Sequence, residues 1–371
     1  MRRAIPLVLA ATMAAPIGVD VSLDARGAQE ARLDRLVQSR SLEQPMPSAR
    51  RIPLPSDSPL EVLPVFGNVF LVARGPSNVA VQIGDEGVLL VDAATAAVSD
   101  RVLEAVRVLS DGPLSYIINT TSDREHYGGN ARLGKAGVNP TVAPRGLAGP
   151  GSAPDDNQGG GGNNPVQLRP TGAIVIAHEN LLNRMNVEPT TEPFEMWPSN
   201  SFFTAKKTMW FNDEPIEILH APAAHTDGDV LVFFRRSDVV VAGDVIHTLQ
   251  YPSFDVARGG SMHGILDALN RIIDITVPRF NQQGGTRVVP GHGRILNEAD
   301  VVEYRDMMTI IYDRVKAGVA AGQTFEQISA RSPTLEYDGL YSTPAWTGRM
   351  LTQAMFDELR QHPAAATSSA Q

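Results

Sequence analysis

From about residue 60 onward, hydrophobic positions along the chain follow two alternating periods. Short β-branched and aliphatic runs bounded by turn residues predict strands; they cover residues 69–73, 79–83, 88–91, 116–118, 173–176, 208–211, 216–219, 230–234, 239–242 and 287–289. Apolar residues spaced three and four apart predict helices over 98–109, 263–275 and 298–317, with a further helix behind Pro344. Strands followed by a helix occur twice, which predicts an α/β fold of two packed sheets with helices outside.

The two ends of the chain and one internal segment depart from this pattern. Arg2 and Arg3 precede an uncharged, mostly apolar run over 4–19, so residues 1–28 are predicted to be a signal peptide that directs the protein to the periplasm or out of the cell. Residues 29–54 are predicted to be a linker, 55–362 the domain with C-terminal helices over 297–362, and 363–371 a disordered tail. The Gly/Pro-rich segment 139–170 predicts a loop insertion, either a tolerated surface loop or a flap over substrate.

Composition and charge exclude several classes of protein. The chain has no cysteine, so disulfides, thiolate zinc sites and a cysteine nucleophile are ruled out, and any metal ligands must be His, Asp or Glu. The net charge of −9 disfavours nucleic acid and anionic membranes as partners. Behind the leader no apolar stretch approaches the roughly 18 residues of a membrane span. A small-molecule substrate is the expected partner, and the sequence predicts no particular oligomeric state.

Candidate metal ligands lie where predicted strands give way to loops. His126 and Glu125 end a polar segment behind one strand, Asp244 follows another, and His292 stands in Pro-Gly-His-Gly behind a third. His225 begins the segment His-Thr-Asp-Gly-Asp. Imidazole and carboxylate groups together suit zinc, manganese or iron, so the pattern predicts a metal site formed by several strand ends.

The order, spacing and flanking glycines of these segments resemble the metallo-β-lactamase-fold superfamily, which includes β-lactamases, glyoxalase II and lactonases. The resemblance runs over about residues 60–296. It includes Val-Leu-Leu-Val-Asp over 88–92, which is similar to the family's strand ending in an Asp behind the metal ligands, and it is nearest to an exported group with an HTDGD segment. It implies an αββα four-layer sandwich, with extra C-terminal helices, and a metal-dependent hydrolase.

The family's HxHxDH signature is altered in this chain. With Asn119 and residues 128–130 as fixed points, the two leading histidines fall on Thr121 and Asp123, the Asp falls on Glu125, and the last His is kept as His126. The resemblance then implies a weakened first metal site and a second that is nearly intact. Their members are Thr121, Asp123 and His225 for the first, and Glu125, His126 and His292 for the second, with Asp244 bridging both.

The resemblance implies one or two divalent ions, of which one well-formed site is expected. Zinc is the expected metal, and manganese or iron are the alternatives. The metal would activate a water for attack on an ester, lactam, lactone, thioester or phosphoester, and Asp123 would be the catalytic residue that orients the water or accepts its proton. Two alternatives stay open: an inactive relative that binds a metal or small molecule without turnover, which the loss at Thr121 favours, and an iron-dependent oxidation like that of the persulfide dioxygenases that share this fold.

The remaining polar and aromatic residues receive structural interpretations. Thr121 is predicted to form hydrogen bonds, and four histidines are predicted not to be ligands: His178, His220, His247 and His263. Six aromatic residues fall within 18 positions and form either an apolar wall over the cleft or a hairpin that packs on the core; they are Phe194, Trp197, Phe202, Phe203, Trp210 and Phe211.

Overall fold

The computed structural model of the protein describes residues 60–141, 172–187, 192–276 and 285–361. The predicted signal peptide, linker and C-terminal tail lie outside the described residues, as does the loop insertion beyond residue 141. The domain boundaries placed in those segments stay predictions.

The first sheet has seven strands in the order of the sequence. They are β1 (Glu61–Phe66), β2 (Val69–Ala73), β3 (Val79–Gly84), β4 (Gly87–Val91), β5 (Leu114–Ile118), β6 (Ile174–His178) and β7 (Asn200–Phe202). β1 to β4 pair antiparallel, and β4 to β7 pair parallel. The parallel strands β4, β5 and β6 are almost continuously apolar because both faces of the sheet are covered there.

The second sheet has five strands in the order β12-β11-β10-β9-β8. They are β8 (Lys206–Phe211), β9 (Glu214–His220), β10 (Val230–Phe234), β11 (Val239–His247) and β12 (Arg287–His292). All pairs are antiparallel except β11 with β12, which run parallel, so the ends that carry Asp244 and His292 lie at the same edge.

Nine α-helices lie in the described part of the chain. They are α1 (Ser99–Leu109), α2 (Arg124–Tyr127), α3 (Asn130–Ala136), α4 (Glu179–Met185), α5 (Met262–Thr276), α6 (Glu298–Ala320), α7 (Phe325–Ser329), α8 (Asp338–Tyr341) and α9 (Gly348–Gln361). The helix α6 begins at a capping box in which Asn297 and Asp300 satisfy each other's backbone N–H groups. None of the described helices has the length and apolar character needed to cross a membrane.

Three layers of buried apolar side chains lie between the two sheets and the helices outside them. The middle one is formed by side chains of both sheets that pack against each other, among them Val91 and Val241. A second layer joins α1 to the outer face of the seven-stranded sheet, and a third joins α5, α6 and α9 to the outer face of the five-stranded sheet. The predicted αββα sandwich with extra C-terminal helices is confirmed.

Two strands of the first sheet were not predicted from the pattern. Strand β1 contains Pro64 and a bulge between Pro64 and Phe66, and β7 is three residues long and starts with two exposed polar residues. Both lie at a sheet edge, where prolines, bulges and short strands are common and alternation is weak.

The cluster of six aromatic residues does not act as one unit. Phe202 and Phe211 are buried in the core between the sheets, whereas Phe194, Phe203 and Trp210 are exposed.

Candidate metal centre

His126 is fully buried in α2, the short helix that follows β5, and Asp92 behind the end of β4 holds its ring in one orientation. Its Nδ1 lies 2.8 Å from Asp92 Oδ2. Asp92 also accepts hydrogen bonds from Thr120 N at 2.8 Å and from Thr120 Oγ1 at 2.7 Å. A carboxylate that accepts from Nδ1–H leaves the Nε2 lone pair of the imidazole available for a metal.

An irregularity in β11 orients the carboxylate of Asp244 towards the imidazole of His126. The β11–β12 register shifts on both sides of Gly243, whose φ is +53°, a conformation that glycine adopts readily. A Cβ on Gly291 would lie 2.3 Å from Asp244 Oδ1, so the chain comes close to the carboxylate at a position where it has no side chain. Asp244 Oδ2 lies 3.1 Å from His126 Nε2.

His292, the last residue of β12, and Glu125, which precedes His126 in α2, complete the group. His292 Nε2 lies 3.2 Å from Asp244 Oδ1 and 3.4 Å from Glu125 Oε1. Asn78 fixes the His292 loop, because its Nδ2 donates to Pro290 O at 2.9 Å and its backbone N donates to Gly291 O at 2.8 Å. The neighbouring Ser77 hydroxyl donates to the backbone carbonyl of Glu125, so one short turn between β2 and β3 positions both ligand loops.

The four side chains offer one ligand atom each within 4.8 Å of one another, as an ion would require: they are Glu125, His126, Asp244 and His292. Among the described residues, His126 Nε2 and Asp244 Oδ1 are buried without a hydrogen bond of good geometry, and each has only one charged group nearby, at 3.1 and 3.2 Å. Buried polar atoms in native proteins are almost always satisfied, so this pair indicates a missing partner. A divalent cation fits: two imidazoles and two carboxylates are a suitable zinc ligand set.

Charge in the centre is balanced between imidazoles and carboxylates. Burial opposes the protonated form of His126, but Asp244 and Asp92 outweigh it and hold its pKa well above the ordinary value. Burial likewise opposes the ionised form of Asp244, but His126 and His292 hold its pKa well below the usual range. Despite its burial, His292 has a pKa raised to about 9 by Asp244 and Glu125. A bound cation would replace these protons, which links metal binding to proton release.

A second group shares Asp244 and contains Asp123 and His225. His225 Nδ1 lies 2.8 Å from Ser253 O and, since a carbonyl only accepts, must carry a proton. His225 Nε2 then faces Asp123 Oδ2 at 2.8 Å and Asp244 Oδ2 at 4.0 Å. The other oxygen of Asp123, Oδ1, accepts from the guanidinium of Arg258.

The electrostatics of this second group differ from those of the first because an arginine takes part. Burial would raise the pKa of Asp123, but His225 and Arg258 lower it to about 2. Burial would lower the pKa of His225, but Asp123 and Asp244 raise it to about 9. Arg258 was not anticipated from the sequence. The pattern Asp255-x-x-Arg258-Gly259 indicates a capped turn, but nothing in it points to Asp123, which lies 135 positions away.

The four histidines predicted not to be ligands lie outside both groups. His247 stacks on His292 with 4.4 Å between ring centroids, and its Nδ1 accepts from two backbone N–H groups. Burial and His292 lower the pKa of His247 to about 4, so it stays neutral. His178 stacks on His220 at 3.7 Å, and His263 lies exposed on α5.

The hydrogen-bonding role predicted for Thr121 has weak support. Its buried Oγ1 lacks a hydrogen-bond partner of good geometry among the described residues. Burial raises the pKa of the neighbouring carboxyl of Asp229. The Thr121 hydroxyl lies near enough to that carboxyl to oppose part of this rise.

Comparison with known proteins places this site in a family context. A family model described as the metallo-beta-lactamase superfamily matches residues 72–292. No curated protein matches the chain. Among solved structures, the chain is similar to a metallo-beta-lactamase from Pontibacter korlensis, with a TM-score of 0.49 and 15% identity over 67% of this chain and 99% of that one.

A second solved structure of similar fold is the sec-alkylsulfatase Pisa1 from Pseudomonas sp.. The TM-score is 0.55 and the identity 12%, over 83% of this chain and 51% of the sulfatase, so the chain spans about half the length of that protein. A third is the DIM-1 metallo-beta-lactamase, with a TM-score of 0.47 and 15% identity over 68% of this chain and 98% of that one. At 12% identity the likeness to the sulfatase concerns the fold alone.

Proposed function

The chain belongs to the metallo-beta-lactamase superfamily, and from this premise we propose that it is an exported, metal-dependent hydrolase with one well-formed metal site. Its substrate would be a small molecule with an ester, lactam, lactone, thioester or phosphoester bond. Zinc is the proposed metal, and the periplasm or the extracellular space is the proposed location. The observation that carries the proposal is that His126 Nε2 and Asp244 Oδ1 are buried without a hydrogen bond of good geometry among the described residues, in a group whose four ligand atoms lie within 4.8 Å of one another.

The protein's own residues would hold and orient the metal. Asp92 fixes the tautomer of His126, Gly291 leaves room for Asp244, and Asn78 holds the loop of His292 in place. When bound, a divalent metal lowers the pKa of water and withdraws electron density from the bond to be broken. Glu125, the most exposed of the four ligands, lies at the side of the centre that substrate can reach.

Asp123 remains the proposed catalytic residue, with a restricted role. A carboxyl whose pKa is held near 2 by His225 and Arg258 is a weak proton acceptor at neutral pH. Each carboxylate oxygen has further acceptor capacity beyond its present hydrogen bond. We therefore assign Asp123 to orienting the attacking water rather than to accepting its proton.

The proposal is tested by metal analysis and turnover of matched variants. His126→Ala and His292→Ala should each lose the bound metal and the hydrolysis of a panel of ester, lactam and phosphoester substrates. His263→Ala serves as the control, because the side chain of this histidine is exposed and its Nε2 lies 3.6 Å from Asp267 Oδ2, which belongs to neither group of candidate ligands. Full activity of the two ligand variants would overturn the proposal.

The alternative is a relative of the fold that binds a metal or small molecule without turnover. It is supported by the altered first group, where Thr121 stands in place of a histidine and Arg258 contacts Asp123. The same panel separates the two functions: an enzyme turns over at least one substrate when loaded with zinc, whereas a binding protein retains stoichiometric metal and hydrolyses none.

A further inference from the structure

Arg258 brings a permanent positive charge to the group formed by Asp123, His225 and Asp244, where it contacts Asp123. Its Nη1 donates to Asp123 Oδ1, to Ser122 Oγ at 3.1 Å and to Ser122 O at 3.3 Å. Its Nε donates to Asp255 Oδ2 at 2.7 Å. About a quarter of the arginine side chain is exposed, so its charge is only partly screened by water.

The arginine is held in place by the backbone as well as by its side chain. Asp255 caps the turn that carries it, and Gly259 closes the turn with φ +77°. Two backbone hydrogen bonds join this turn to the His225 loop: Asp227 N to Arg258 O and Asp255 N to His225 O, both 2.9 Å. The guanidinium is therefore pre-positioned beside Asp123, unlike a freely moving surface side chain.

The ligand count alone does not exclude a metal from this group. Asp123, His225 and Asp244 offer three ligand atoms within 4.8 Å, and a catalytic zinc needs about three protein ligands and a water. What distinguishes this group from the one around His126 is the guanidinium that donates to Asp123 Oδ1, because an imidazole can lose its proton to make room for a metal and an arginine cannot. A divalent cation bound by Asp123 would share that carboxylate with the guanidinium, and the two like charges would repel each other.

We propose that Arg258 supplies, beside Asp123, the positive charge that a first metal ion would otherwise bring, so that the protein binds a single divalent cation. The inference rests on the proposed function, because it takes the group around His126 as the site that is filled. It makes Arg258 the residue that sets metal stoichiometry and supplies a fixed positive charge beside the metal.

The test counts zinc in four forms of the full-length protein. Each is loaded with excess zinc, freed of unbound ions by gel filtration, and analysed for zinc equivalents per chain. Arg258→Met removes the charge at similar side-chain length, and Arg258→Lys keeps it. Arg184→Met is the matched control: Arg184 pairs with Asp227 at 2.8 Å and has a similar exposure, but it touches no candidate ligand.

The expected result is one equivalent in the wild type, in Arg258→Lys and in Arg184→Met, against about two in Arg258→Met. Two equivalents in the wild type or in Arg258→Lys, or a single equivalent in folded Arg258→Met, would overturn the inference and leave the proposed function intact. If Arg258→Met does not fold, Arg258→Gln repeats the test, since an amide can still donate to Ser122 without carrying charge. No zinc in the wild type would overturn the proposed function and this inference together.

Discussion

Asp92 Oδ2 lies 2.8 Å from His126 Nδ1, and neither side chain is accessible to solvent. This contact fixes which imidazole nitrogen faces the candidate metal centre. Thr120 N donates to Asp92 Oδ1 from the other side, so the carboxylate itself has a defined orientation. Asp92 is a residue with φ +69°, an uncommon conformation for a residue with a side chain. The backbone at the end of β4 is therefore shaped to present this carboxylate to His126.

Asp92→Asn should weaken metal binding without removing a ligand. The amide oxygen would stay with Thr120 N, so the NH₂ group would face His126 Nδ1 and move the imidazole proton to Nε2. Loss of such a supporting carboxylate typically costs about 10- to 100-fold in metal affinity. Zinc affinity is measured by competition with a chelator. Asp100→Asn, which alters an exposed carboxylate paired with Arg132, should bind zinc as the wild type does.

Gly291→Ala should displace Asp244 and the adjoining backbone of β11. The added methyl would lie 2.3 Å from Asp244 Oδ1 and 2.8 Å from Gly243 C, so the carboxylate and the backbone beside it must both shift. We expect zinc affinity to fall by at least about tenfold, as for other disturbances around a metal ligand. Gly339→Ala is the control, because a Cβ there has no neighbour within 4 Å. Equal zinc affinities in the two variants would contradict the close approach.

His126→Ala should destabilise the metal-free protein. The change removes the buried partner shared by Asp92 and Asp244 and leaves two buried carboxylates without their imidazole. Removing one partner of a buried ion pair costs about 3–5 kcal/mol. Urea unfolding in the presence of a chelator measures the free energy of unfolding. His263→Ala should change it by no more than about 0.5 kcal/mol, as is usual at an exposed site.

The stability of the metal-free protein should fall as the pH rises from 6.5 to 9. The pKa of His225 and of His292 is about 9 in the folded chain, against 6.5 for an unperturbed histidine. A histidine whose pKa is raised in the folded chain stabilises the protein fully at pH values below 6.5. This stabilisation, which reaches about 3 kcal/mol for such a group, is lost as the pH rises to the pKa of the folded chain. Zinc affinity should rise over the same interval because protons leave the ligand nitrogens.

Unfolding by urea at pH 6, 7.5 and 9, with chelator and with zinc, checks both parts of this expectation. The double variant His225→Gln, His292→Gln should show a flatter pH profile without metal. A metal-free wild type that is equally stable at all three values would show that these imidazoles are not protonated by their carboxylate partners.

Most of the sandwich could be predicted because its strands alternate or run apolar. Val239–His247 and Val230–Phe234 are almost wholly buried, and such patterns are visible without tertiary information. The edge strands β1 and β7 were missed, because a strand with one neighbour carries prolines and polar residues that look like loop. The extension of β11 past Ala242 was missed because Gly243 interrupts the run.

The candidate ligands could be predicted because each sits beside glycines at a strand end, in segments that resemble a known motif. Arg258 and Asn78 could not be predicted, because nothing local distinguishes an arginine or an asparagine that contacts a ligand loop from one on the surface. Asn78 contacts Pro290, which lies 212 positions later in the chain, and Arg258 contacts Asp123, which lies 135 positions earlier. Such contacts arise from the packing of the two sheets, which no local pattern contains.

A crystal structure of the zinc-loaded protein, with anomalous data collected at the zinc edge, would show directly whether a single ion is bound and where. We expect one anomalous peak per chain, bounded by Glu125, His126, Asp244 and His292, with the Arg258 guanidinium still in contact with Asp123. A zinc-loaded crystal with no peak among these four side chains, or with its zinc bound by Asp123 and His225 instead, would contradict a single metal site built around His126.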